Sequence, residues 1–193
     1  MPRIERATLM TLEAYARERA QFRAKVMAHK KNRTVQLGEN VTLLFEDELT
    51  IRYQVQEMLR VERIFEEEGI REELDAYNPL VPDGRNLKAT LMIEYADSDE
   101  RRKKLEELIG IEDKVWVQVR GQERVWAIAD EDLERENEHK TSSVHFLRFE
   151  LSEGMAQALK KGASLAMGID HSRYSATLET PPAVRGSLAR DLA

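Results

Sequence analysis

Apolar positions recur at helical spacing near the start of the chain. Leu12, Tyr15, Ala16, Phe22 and Val26, with Arg19 among them, predict a first helix over residues 8–31, capped by Thr8 or Thr11. Its end carries His29, Lys30, Lys31 and Arg33, cations that suit a helix C-terminus. Two short apolar runs, 34–37 and 41–45, flank Gly38-Glu39-Asn40 and predict a hairpin. Glu46-Asp47-Glu48 then opens a central helix over residues 47–67, with Gly69 as its stop and a short helix over 70–77 after it.

The turn-rich NPLVPDGRN at 78–86 precedes the clearest strand, 87–96. There Leu87, Ala89, Leu91, Ile93 and Tyr95 alternate with polar neighbours. Asp97 to Glu100 caps a helix that ends at Gly110. Strands follow at 115–120, 124–129, 144–151, 163–169 and 174–178, in an order that suggests an antiparallel meander. Ser152 caps a short helix, and Pro181-Pro182 leads into a C-terminal helix or tail. Between the strands, 130–140 reads as a charged, solvated segment. Helices followed by a run of strands predict an α+β fold: N-terminal helices and a hairpin, then a mostly antiparallel sheet or partial barrel.

The 193 residues, 41% of them hydrophobic, fit one domain. It would have a helical and hairpin part at about 1–86, a β-rich part at about 87–180 and a short tail. The net charge of -6 argues against nucleic acid as the main partner. The absence of cysteine removes disulfides, thiolate metal sites, iron–sulfur ligation and a cysteine nucleophile. No apolar run reaches the ~20 residues of a membrane span. MPRIERATLM lacks the apolar core of a secretory signal, so the cytoplasm is the expected location.

The candidate chemistry concentrates on the central helix. On a helical wheel Ile51, Val55, Met58, Leu59, Val61 and Phe65 form a broad arc that should meet the core. Glu62 falls inside that arc. A carboxylate there must be paired, protonated or bound to something, so Glu62 is a candidate ion-pair member, general base or metal ligand. Arg52, Gln56, Arg60 and Arg63 share the opposite side, with Tyr53 and Glu57 beside them. Arginines at one-turn spacing grip a carboxylate or phosphate, or pair with nearby acids; both readings stay open. Arg52, Tyr53, Gln56, Arg60, Arg63, His29, Arg33 and Arg85 are the candidate residues for a small anionic ligand.

For a metal, the candidates are Glu62, His145, His139 and Glu136. Glu136 and His139 have the i, i+3 spacing of carboxylate-bridged di-iron helices, but in a single copy. His145 alternates with Leu147, Phe149 and Leu151, either as a satisfied core histidine or as a partner of Glu62. One iron, zinc or manganese ion on histidine and carboxylates is chemically sensible. No Walker loop, G-x-S-x-G elbow or G-x-G-x-x-G is present.

AHKKNRTVQLGENVTLLFED, RYQVQEMLRVERIFEEEGI, LDAYNPLVPDGRNLKATLMIEY and IADEDLERENEHKTSSVHFLRFEL together resemble the bacterial domain of unknown function 3501 family, over nearly the whole chain. The resemblance brings no activity and no catalytic residues. It implies a context: members are often encoded beside a rubrerythrin-type di-iron protein and an iron–sulfur oxidoreductase. The expected function is therefore an accessory or ligand-binding protein of a redox or peroxide-response system, which binds a small anion or a redox partner. The alternative is a small metal-dependent enzyme with a His/carboxylate site.

Overall fold

The computed structural model describes residues 3–129 and 140–193. The first helix, α1 (Leu12–Lys30), starts at Thr11, whose hydroxyl accepts from the Ala14 amide. A short 3-10 turn, Arg6–Thr8, precedes it. Strands β1 (Thr34–Leu37) and β2 (Val41–Glu46) form the expected hairpin. Gly38 takes a left-handed φ of 73° at the turn, and a Cβ there would stand 2.5 Å from the Tyr174 hydroxyl. Only glycine serves both demands.

The central helix α2 (Glu48–Val61) is shorter than its sequence pattern suggests, and α3 (Glu67–Tyr77) follows it. Strand β3 (Asn86–Ile93) shows the expected alternation, with Leu87, Ala89, Leu91 and Ile93 buried. Helix α4 (Ser98–Glu107) is capped by Asp97. Strands β4 (Val115–Val119), β5 (Arg124–Trp126), β6 (Ile128–Ala129) and β7 (Val144–Glu150) come next. Helix α5 (Glu153–Lys160), strands β8 (Leu165–His171) and β9 (Tyr174–Glu179), and helix α6 (Pro182–Leu188) complete the order.

The strands do not run as one meander. They form two open antiparallel sheets, ordered β1-β2-β3-β7-β6 and β5-β4-β8-β9. β7 returns to the hairpin sheet, where Leu147 faces Ala89 and Phe149 faces Leu87, while β4 pairs with β8. The chain passes from one sheet to the other between Trp126 and Ile128. At the opposite side the Tyr174 hydroxyl of β9 donates to the Leu37 carbonyl and accepts from the Asn40 amide. Both sheets contribute to one core, which includes Leu43, Phe45, Leu91, Phe149, Val117 and Met167. Val184, Leu188 and Leu192 from the C-terminal segment join it.

A second, smaller core holds the helical end: Ile4 and Leu9, Ile51, Val55 and Leu59 from α2, and Ile70 and Leu74 from α3. α1 packs on α2 through Phe22, whose ring lies tilted against Tyr53 and edge-on to Tyr15 of its own helix. Among the described residues, no helix is long and apolar enough to cross a membrane.

Candidate functional site

α2 positions most of the sequence candidates, and its two ends have different chemistry. At the N-terminus, Asp47 caps the helix. Its carboxylate accepts from the Thr50 amide while the Thr50 hydroxyl accepts from the Asp47 amide. The same carboxylate meets His29 Nε2 at 2.5 Å and Arg33 Nη1 at 3.4 Å. Arg33 is buried, not displayed. Its Nε donates to the Phe45 carbonyl, its Nη2 to the Glu46 carbonyl and to Asp191 at 2.5 Å, and its Nη1 to Asp191 and Ser187. This guanidinium ties the end of α1, strand β2 and the C-terminal turn together. Burial pushes the Asp191 carboxyl above its usual range, against the pull of Arg33. Beside it, the buried Glu46 carboxylate accepts from Thr50 and from Thr90.

Along the body of α2, the supposed anion-gripping side is occupied from within. Arg52 pairs with Glu48 one turn away and donates to the Thr8 carbonyl and hydroxyl. Gln56, expected on the solvent side, is buried and brackets the Met10 backbone, with Oε1 accepting from its amide at 2.7 Å. Tyr53 is buried beneath Lys30, whose ammonium sits 5.5 Å above the ring. Glu57, only a neighbour in the wheel reading, is the hub. It takes both nitrogens of the Arg19 fork, at 2.7 and 2.8 Å, the Tyr15 hydroxyl at 2.7 Å and Arg60 at 3.5 Å. The Arg19 hydrogen bonds, with help from Tyr15, hold the Glu57 carboxyl down at about 2. Burial and the Glu57 carboxylate lift the Tyr15 phenol well above its usual range.

At the C-terminus the expected continuation to residue 67 fails. Glu62 is the C-cap and Arg63 takes a left-handed φ of 55°. The Ile64 amide then reaches back to the Leu59 carbonyl at 2.9 Å, which closes a Schellman turn around a non-glycine residue. Ile64, half-buried, packs against the smaller core. Gly69, expected as a stop, lies inside α3, where a Cβ would come within 2.8 Å of Ile64. The wheel assignment holds for Ile51, Val55 and Leu59, which are buried, and is reversed at the end of the helix. Glu62 is exposed instead of core-facing, and Val61 and Phe65, expected in the core, are 59% and 71% exposed.

The remaining candidates are spread out. His145 is fully buried in β7, and its Nε2 lies 2.8 Å from the Thr141 hydroxyl and 3.0 Å from the Ser142 carbonyl. That carbonyl can only accept, so Nε2 carries the proton. Glu112, buried, is 3.8 Å away. Glu62 has no place in this cluster, so the proposed His145–Glu62 pairing does not form. Glu136 and His139 lie outside the described residues. Among the described residues, no three histidine or acidic side chains gather to hold a metal. Arg85 is exposed, and its amide closes the turn on Asp83.

An open cleft of about 610 Å³ lies at the β8–β9 turn, lined by Ile109, Asp113, Lys114, Asp170, His171 and Ser172. Two of its polar side chains, His171 and Asp170, already have partners, whereas Asp113, Lys114 and Ser172 have none among the described residues. His171 Nε2 donates to the Ile109 carbonyl, its Nδ1 accepts from the Arg173 amide, and Asp170 pairs with Arg124. Of the sequence candidates for ligand binding, the Arg63 and Arg85 guanidinium groups and the Tyr53 hydroxyl have no hydrogen-bond or ion-pair partner among the described residues.

What this geometry defines is an α+β protein with two open sheets and a helical end whose polar residues serve mainly to join its own elements. The chain belongs to the family described as "Protein of unknown function (DUF3501)", whose model matches residues 3–192. It is similar to a solved structure from Burkholderia pseudomallei K96243, described as a novel protein of unknown function. The two are 55% identical over the full length of both chains, with a TM-score of 0.95. No curated protein matches the chain.

Proposed function

We propose that the protein is a non-catalytic accessory component of a bacterial redox or peroxide-response system, and that it acts by docking onto an iron-containing partner. The observation that supports this is the corner between α2 and α3. There, a left-handed residue, Ile64 packed against the smaller core and the closely packed Gly69 hold Phe65 outward at 71% exposure, four residues beyond exposed Val61. A large apolar side chain held in water by a hydrogen-bonded turn marks an interaction surface better than a scattered exposed leucine does. The choice of a rubrerythrin-type protein or an iron–sulfur oxidoreductase as the partner rests on the family resemblance.

Titration calorimetry of the full chain against each of these two proteins tests the reading. Saturable binding that Phe65→Ala weakens about tenfold or more is expected, because a central aromatic anchor carries more than ~1.4 kcal/mol. The absence of binding to both proteins overturns the redox assignment.

A second reading, a small metal-dependent enzyme, draws on the buried His145–Glu112 pair. Elemental analysis after incubation with iron, zinc or manganese decides it. Stoichiometric metal that His145→Gln removes supports the reading, and a metal-free sample sinks it.

A further inference from the structure

The corner that displays Phe65 is also the least neutralised acidic surface of the helical end. Between Val61 and Glu73 the sequence places Glu62, Glu66, Glu67, Glu68, Glu72 and Glu73 against Arg63 and Arg71. Glu67 is taken up by a two-pronged contact from Arg6, and Asp75 beyond it by Arg3. The other five carboxylates have no ion-pair or hydrogen-bond partner among the described residues. Glu62, Glu66, Glu68 and Glu72 are exposed and Glu73 is half-buried. Burial raises the Glu73 carboxyl, and the charges of Glu62 and Glu72 raise it further.

Elsewhere in the helical end most acids are matched, with Glu5 and Glu18 as isolated exposed exceptions among the described residues. Glu57 holds Arg19, Glu48 holds Arg52, and Asp47 holds His29. At this corner five carboxylates close in sequence stand unpaired beside two exposed apolar side chains, Val61 and Phe65.

We infer that the α2–α3 corner is an acidic, aromatic-centred knob that docks a basic protein surface, one with lysine or arginine side chains around an apolar socket. This deepens the docking reading above and rests on the same corner. The apolar centre supplies contact area, while the carboxylate rim selects the sign of the partner, speeds encounter and rejects acidic surfaces. Arg63 and Arg71 sit within the rim and reduce its charge without cancelling it.

The test needs no knowledge of the natural partner. Two helical peptides of equal leucine content, one with lysine and one with glutamate at the remaining positions, are titrated into the full, isotopically labelled chain and followed by amide resonances. The expected result is that the lysine peptide alone shifts residues 61–68, with an affinity that falls about tenfold or more from low to physiological salt, as screening requires. Phe65→Ser removes the shifts. Glu66→Gln/Glu68→Gln/Glu72→Gln weakens binding about tenfold, while the control Glu18→Gln/Glu106→Gln/Glu123→Gln, at exposed acids elsewhere, leaves it unchanged. All these sites are at the surface, so the variants keep the fold, which circular dichroism confirms.

Equal response to both peptides, shifts spread evenly over the surface, or an unaffected triple variant overturns the inference. Lysine-peptide binding at the corner, with neither redox protein bound, keeps this inference and removes the redox reading. Redox-protein binding at the corner that is indifferent to salt and to the triple variant does the reverse.

Discussion

Replacing Arg33 with methionine keeps most of the side-chain volume and deletes a buried guanidinium that joins three elements. The wild-type group is 1% exposed. It donates to the Phe45 carbonyl at 2.8 Å, the Glu46 carbonyl at 3.0 Å, the Ser187 hydroxyl at 3.3 Å and both Asp191 oxygens, at 3.2 and 2.5 Å. Removing one member of such a pair leaves a carboxylate in a dry site, which costs about 3–5 kcal/mol. For a chain of this size each kcal/mol moves the melting temperature by about 2–4 °C, so a drop of about 6–20 °C is expected.

The sign of the pH dependence follows from Asp191. Burial already raises its carboxyl, and losing Arg33 removes the main opposing pull. A raised carboxyl contributes stability that is fully present below its unfolded pKa and lost as pH rises through the folded value. The deficit of Arg33→Met should therefore be largest near neutral pH and shrink toward pH ~4, where Asp191 takes up a proton at little cost. Adding Asp191→Asn should recover at least ~1.5 kcal/mol of the loss, because the uncompensated charge is then gone. The assay is urea unfolding of the four members of the cycle at two pH values. A loss below ~1 kcal/mol for Arg33→Met, or no recovery in the double variant, would refute the account of Arg33 as the buried tie.

Other outcomes follow from single contacts. Gly168→Ala should lose about 1–3 kcal/mol in urea unfolding, since a Cβ there would meet buried Trp116 at 2.4 Å and the Ala176 carbonyl at 2.6 Å. Glu57 titrates at about 2 because Arg19 and Tyr15 hold its charged form. The stability it contributes is thus present above the ordinary glutamate range and lost as pH falls through about 2. Acid titration of Glu57→Gln against wild type should show a gap at neutral pH that closes at the acid end. Glu62→Gln should change stability by less than ~0.5 kcal/mol, as an exposed helix-end substitution does; a loss of several kcal/mol in thermal unfolding would restore the core-facing reading.

Local patterns in the sequence fix much of this molecule. Thr11, Asp47, Asp97 and Ser152 announce their helices, because a short polar side chain next to free backbone amides has one favourable use. The alternation of Leu87, Ala89, Leu91 and Ile93 announces β3, because one face of a pleated strand must leave water. The α+β order is legible for the same reasons.

What the sequence could not show depends on groups distant along the chain. Arg33 reads as a cation at a helix end, yet Asp191, 158 positions away, makes it the buried tie. Glu57 reads as one acid among many until Tyr15 and Arg19 close on it. The return of β7 to β3 and the pairing of β4 with β8 are likewise long-range choices, settled by which apolar faces share a core. The central helix is the sharpest case. Its apolar period runs on through Phe65, and arginine is no usual signal for a left-handed turn. The packing of Ile64 against the smaller core, with room made by Gly69, and its backbone bond to Leu59 offset the strain at Arg63. The sequence by itself determined that apolar and acidic residues would crowd the end of this helix; the tertiary structure decided that the chain turns there, which puts Phe65 and Glu62 together in water instead of in the core.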